Sequence, residues 1–198
     1  MSKGRLEAFS DGVLAIIITI MVLELRAPHE ASVEALRPLV PEFLSYLLSF
    51  VFLGIYWNNH HHLFQAVRQV NGQVLWANMH LLFWLSLVPF VTAWLGRTEF
   101  AAWPAAAYGV VMLMAGFAYY LLAHALIAHH GRESVLAKAL GSDFKGKISV
   151  VLYAIAIPSA FVHPLIACGL YVLVAVIWLV PDRRIESVLA KHEEPAHH

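Results

Sequence analysis

Phe9-Ser10-Asp11-Gly12-Val13-Leu14-Ala15-Ile16-Ile17-Ile18-Thr19-Ile20-Met21-Val22-Leu23-Glu24-Leu25 is the stretch on which the reading of this chain turns. It is close to the roughly 20 apolar residues needed to cross a bilayer. A charged approach, Arg5-Leu6-Glu7, leads into it, and Asp11 sits at the edge of the apolar run. An acid costs roughly 2.5–3.5 kcal/mol at the centre of a membrane helix and less near its ends, so Asp11 calls for a partner. At about 100° per residue, Gly12, Ile20 and Leu23 fall within about 40° of Ile16, and Thr19 at about 60°. Asp11 lies about 140° away. One face is therefore smooth and apolar, fit for a symmetric neighbour or a pore, and the other is fit to be tied by a charge to the helices behind it. An ordinary lipid-facing or packed helix offers such a stripe too, and periodicity alone does not separate the two.

Outward from this stretch, composition places the whole chain in a membrane. Of 198 residues, 60% are hydrophobic and 13% charged, with mean hydropathy +0.69, more apolar surface than a soluble domain of this length can bury. The 13 basic and 13 acidic side chains cancel, which gives no sign of a nucleic-acid partner. Cys168 is alone, so there is no internal disulfide framework, and it reads as a small packing residue. No small-residue cleavage site follows the basic start at Lys3 and Arg5, so the first span is expected to be retained.

Six apolar segments follow, at about 8–25, 43–64, 73–95, 104–128, 148–162 and 164–180. The last two are short, and His163-Pro164 between them marks a tight turn, so they read as a hairpin. Pro89 and Pro158 predict kinks in the third and fifth spans. Pro28, Pro38 and Pro41 mark an external loop with room for a short helix. With the N-terminus inside, every Lys and Arg except Arg26, Arg37 and Arg97 falls on the cytoplasmic side. The expectation is an all-α, multi-pass protein of the cell membrane with both termini cytoplasmic. Residues 1–181 form one six-helix domain, and 182–198 form a charged tail predicted to be disordered.

That topology brings the polar residues of three helices to one depth: Arg5, Ser10 and Asp11; Trp57, Asn58, Asn59 and His60 to His62; and Asn78 and His80. Asn, His, Trp and Arg all supply donors to a carboxylate, so Asp11 is expected to be anchored here and to fix the rotation of the first helix. Arg5, about 240° from Asp11 around the helix, is not its intrahelical partner. The three consecutive histidines spread over about 200° and cannot share one metal from a regular helix, so no metal site or cofactor is expected. No Gly-x-Ser-x-Gly or His-Glu-x-x-His pattern points to an enzyme.

Arg5-x-x-x-Phe9-Ser10-Asp11, followed by Gly12 and an Ile/Thr/Leu-rich span, resembles the signature of the transmembrane-protein-175 (lysosomal-type) family of potassium channels. The six-span layout and Trp57-Asn58-Asn59-His60 are also similar to its bacterial members. The resemblance implies a potassium-selective or potassium-preferring channel without a carbonyl filter, a homotetramer whose first helices surround the path. It matches Ile16 to the constricting apolar position, Ile20 and Leu23 to further rings, and Thr19 to a hydroxyl layer; Gly12, by its size, would allow a close helix approach or a wide inner mouth. It carries Arg5, Phe9, Ser10 and Asp11 over to a polar network, with Asn59 and His80 matched only loosely. For Thr19 the competing reading is a bond back to the Ala15 carbonyl. Glu24 at the outer end reads either as a collector of cations or as an ordinary helix-end residue. The rival function is a proton- or metal-coupled secondary transporter using Asp11 and the His60–His62 and His80 cluster. It would favour broken helices and an internal repeat, neither of which is clear here.

Overall fold

The computed structural model describes residues 2–67, 69–131 and 144–179. The expected disordered tail, 182–198, lies outside the described residues. Among the described residues, seven α-helices make six helical segments: α1 (Lys3–Leu23), α2 (Val40–Gln65), α3 (Gly72–Ser86) continued by α4 (Val88–Arg97), α5 (Ala102–His130), α6 (Phe144–Ser159) and α7 (Pro164–Leu179). Lys3–Leu23, Glu34–Gln65, Gly72–Arg97 and Ala102–His130 are each long and apolar enough to cross a membrane. The α6 and α7 helices have 16 residues each and form the expected short pair, joined at Ala160–His163.

The prolines act in different ways. Pro89 opens α4 at its first turn, where a missing N–H costs little, and the break from α3 falls at Leu87. The third segment is thus broken, as the sequence predicts. Among the described residues the helix of the fifth segment runs over Phe144–Ser159, and Pro158 lies inside it, in its last turn. The proline-rich loop holds a 3-10 turn, Glu34–Leu39, running directly into α2.

The longest helix, α5, is the hub and packs against α3, α4, α6 and α7. Small residues on it (Ala105, Ala115, Ala118) let the neighbours approach closely. A Cβ at Gly109 would collide with Tyr171 Oη, whose hydroxyl donates to the Ala105 carbonyl at 2.9 Å and docks α7 on α5. The first helix lies at the edge and packs on α2, α3 and α4 through Leu6, Ser10, Leu14, Ile17 and Met21. Those positions recur every three or four residues, the period of one helical face, and leave the opposite face without a partner among the described residues.

Candidate functional site

The uncovered face of α1 is the stripe picked out by periodicity. Ile16 is 60% exposed, Ile20 44% and Leu23 75%, and Gly12 and Thr19 are exposed beside them. Ile17, one residue from Ile16, is buried, so the boundary between the faces is sharp. A Cβ on Gly12 would meet nothing within 4 Å, so this residue faces open space within the chain. Thr19 Oγ1 donates to the Ala15 carbonyl at 2.8 Å. That bond uses the hydroxyl proton and leaves the oxygen lone pairs on the exposed face, where they suit a cation and not an anion.

Behind the buried face lies a directional chain of hydrogen bonds across three helices. His60 Nε2 and Asn78 Oδ1 are 2.8 Å apart, and because an amide oxygen only accepts, His60 is the donor. Asn78 Nδ2 donates to Ser10 Oγ at 2.9 Å, and Ser10 donates to the Leu6 carbonyl at 2.9 Å. His60, Asn78 and Ser10 are all buried. Apolar burial would leave α1 free to slide or rotate, whereas this chain has only one satisfied register.

Asp11 is anchored by Trp57, one of the expected donors, but at the surface and not within the buried chain. It is exposed on the flank of α1 and accepts a hydrogen bond from Trp57 Nε1 at 3.0 Å. The His61 ring stacks on Trp57, with centroids 6.1 Å apart and planes at 16°. Asp11 therefore pins α1 to α2 at the surface while Ser10 pins it to α3 inside. The other expected members of the network are not gathered around it. Asn59 Nδ2 bonds the Ile55 carbonyl one turn back, His80 Nε2 accepts from Trp84 Nε1 one turn on, and Arg5 and Phe9 are exposed. Asn78 and His60 take the positions given to His80 and Asn59. A signal for this was present in the sequence. Asn78 shares a helical face with the apolar Val74, Leu81 and Leu85, as His60 does with Leu53 and Phe64, whereas His80 and Asn59 fall off those stripes. Among the described residues no group of three His, Cys, Asp or Glu side chains could hold a metal ion.

At the other end of α1, Glu24 pairs with Arg97 at the end of α4, both half exposed. Its charge is therefore partly neutralised, which favours the structural of the two readings. Deeper, Ser49 Oγ sits 2.7 Å from Thr92 Oγ1 and 3.0 Å from Tyr108 Oη, joining α2, α4 and α5 beside Met21 of α1.

A family model described as the endosomal/lysosomal potassium channel TMEM175 matches residues 5–89, the part that holds α1, the Trp57–His60 segment and Asn78. A protein of Chryseobacterium sp. (strain P1-3) described as a potassium channel is 55% identical over 192 residues, 97% of this chain and 100% of that protein. The Homo sapiens endosomal/lysosomal proton channel TMEM175 is 40% identical over 81 residues, which is 35% of this chain and 16% of that one. Among solved structures, the crystal structure of a lysosomal potassium-selective channel TMEM175 homolog from Chamaesiphon minutus superposes with a TM-score of 0.78 at 29% identity, covering 91% of this chain and 97% of the other.

Proposed function

The chain belongs to the TMEM175 family of ion channels, and on that premise we propose that it is a potassium channel of the cell membrane, conducting along the uncovered face of α1 at the axis of a homotetramer. The observation that carries this reading is the stripe Gly12–Ile16–Thr19–Ile20–Leu23. It is exposed over its whole length on a helix whose back is locked to α2 and α3. The described residues of one chain enclose no path along this face, whereas four α1 helices around an axis would turn Ile16, Ile20 and Leu23 into stacked rings.

Such rings act by dewetting: an ion passes only by shedding part of its hydration. Sodium holds its shell more strongly than potassium and loses more when it is stripped. Thr19 returns some oxygen coordination through its lone pairs between the Ile16 and Ile20 levels. No charged residue lies between Gly12 and Leu23, so neither a cation trap nor an anion site interrupts the path. The orientation follows the basic residues, with Arg5 and the His60–Asn78–Ser10 cluster at the cytoplasmic end and the Glu24–Arg97 pair outside. The transporter reading loses its main support, because His60, His61 and His80 are committed to Asn78, Gln65 and Trp84 instead of being gathered with Asp11.

The test is the reversal potential of the reconstituted protein with potassium on one side and sodium on the other. It is expected to move toward the potassium potential, and Ile16→Asn is expected to bring it back toward zero while raising the leak. Unchanged selectivity in Ile16→Asn would place the constriction elsewhere. A current that follows a pH gradient and ignores potassium would make this a proton path, the activity named for the animal relatives.

A further inference from the structure

A second feature lies away from α1, in the cleft between α2, α5, α6 and α7, at the end of the molecule that holds Asp11. It is an open cavity of about 730 Å³, within the roughly 300–1,000 Å³ typical of ligand sites. Its walls are mostly apolar, from Phe52, Ile55, Leu113, Phe117, Val150 and Val174; among the described lining residues Lys147 is the charged one, beside His124 and four tyrosines, and none is a carboxylate.

The polar groups near its mouth are largely committed. Trp178 Nε1 donates to Ser149 Oγ at 2.9 Å, Ser149 donates to the Lys145 carbonyl at 2.8 Å, and the Lys145 ammonium lies 6.0 Å from the Trp178 ring centroid. His124 Nδ1 is held by the Tyr120 carbonyl at 2.9 Å. Lys147 is the exception: it is exposed and has no hydrogen bond or ion pair among the described residues. It stands one turn into α6, near the end of a membrane segment, the depth at which lipid phosphates lie.

We propose that this cavity binds one molecule of an anionic phospholipid, an acyl chain running between Phe52, Ile55 and Phe117 and the phosphate resting on Lys147. The shape and the charge argue together. A free anion gains nothing from the long apolar walls, and a zwitterionic lipid carries a cation of its own against Lys147. The site touches the conducting machinery through α2. Asn59 lines the cavity, and the next residue, His60, donates into the cluster that holds α1.

Native mass spectrometry of the purified, delipidated protein, titrated with phosphatidylglycerol or with phosphatidylcholine of the same chains, tests this. The expected result is one saturable phosphatidylglycerol per chain, with phosphatidylcholine at least several-fold weaker. Lys147→Ala is expected to weaken phosphatidylglycerol roughly five-fold, the effect of one lysine at a lipid surface, and to leave phosphatidylcholine unchanged. Gly116→Leu is expected to block both lipids, since its side chain would enter the cavity; a Cβ there meets only Tyr56 Oη, at 3.7 Å. If that variant does not elute as the parent does in gel filtration, Lys147→Ala decides alone. Equal binding of the two lipids, or full phosphatidylglycerol binding in Lys147→Ala, would reduce the site to ordinary boundary lipid and overturn the proposal. So would competition by inorganic phosphate at millimolar concentration, or no lipid binding at all.

Discussion

Ser10 and Thr19 are both small hydroxylated residues of one helix, and their surroundings give them opposite roles. Ser10 is buried and is the acceptor for Asn78 Nδ2. Ser10→Ala leaves that amide without an acceptor, at a cost of about 1–3 kcal/mol, and is expected to lower the melting temperature by several degrees. Thr19 is exposed and bonded to its own helix. Thr19→Val is expected to leave the melting temperature within error, as exposed substitutions do, but to lower potassium conductance. Equal thermal losses in the two variants would contradict this division. At the outer end, Arg97→Gln frees the Glu24 carboxylate from its partner. Potassium conductance is then expected to rise at low ionic strength and to return to the parent value near 1 M salt, where the screening length is about 3 Å. A rise independent of salt would point to a changed structure instead of a changed field.

The elements are held by close approaches that side-chain chemistry alone does not announce. Where α4 crosses the start of α2, a Cβ on Gly96 would lie 2.6 Å from Glu42 Cα and from Ser45 Oγ. Backbone cannot swing aside, so Gly96→Ala is expected to destabilise by about 1–3 kcal/mol, as overpacking does. Gly116 on α5 has no such neighbour, and Gly116→Ala is expected to be neutral or to stabilise by up to about 1 kcal/mol through helix propensity. Thermal unfolding of the two variants side by side checks the contrast, and a benign Gly96→Ala would mean that α2 and α4 stand further apart. The break between α3 and α4 belongs to the same scale. Pro89 ends one helical stretch and starts the next, and so sets the direction of α4 toward Glu24.

At the scale of the molecule, the hub helix α5 and the edge helix α1 divide the work. The hub gathers the core, and the edge helix is left with an apolar face that none of the described residues covers. That division is the physical basis for the proposed assembly. It gives a scan in a Cys168→Ser background: Ile16→Cys, Ile20→Cys and Leu23→Cys are expected to make the current sensitive to silver ions, and Ile17→Cys, on the buried face, is not. Sensitivity confined to Ile17→Cys, or spread evenly over all four, would mean that the exposed face does not line the path.

The sequence by itself determined the class, the six-segment layout, the broken third segment and the stripe on α1, because apolar run length and 3.6-residue period are local properties of the chain. It also showed which ends of α1, α2 and α3 meet, since antiparallel neighbours with short connections leave no other choice. Which polar residue takes which partner was decided only by the tertiary structure. Asn78 and not His80 reaches Ser10, Trp57 out of several candidate donors holds Asp11, and Arg97 pairs with Glu24. Several donors at one depth satisfy an acceptor equally well on paper. The choice among them rests on helix rotation and crossing distance, which the packing of Leu6, Leu14, Ile17 and Met21 against three other helices sets, and which no single segment encodes.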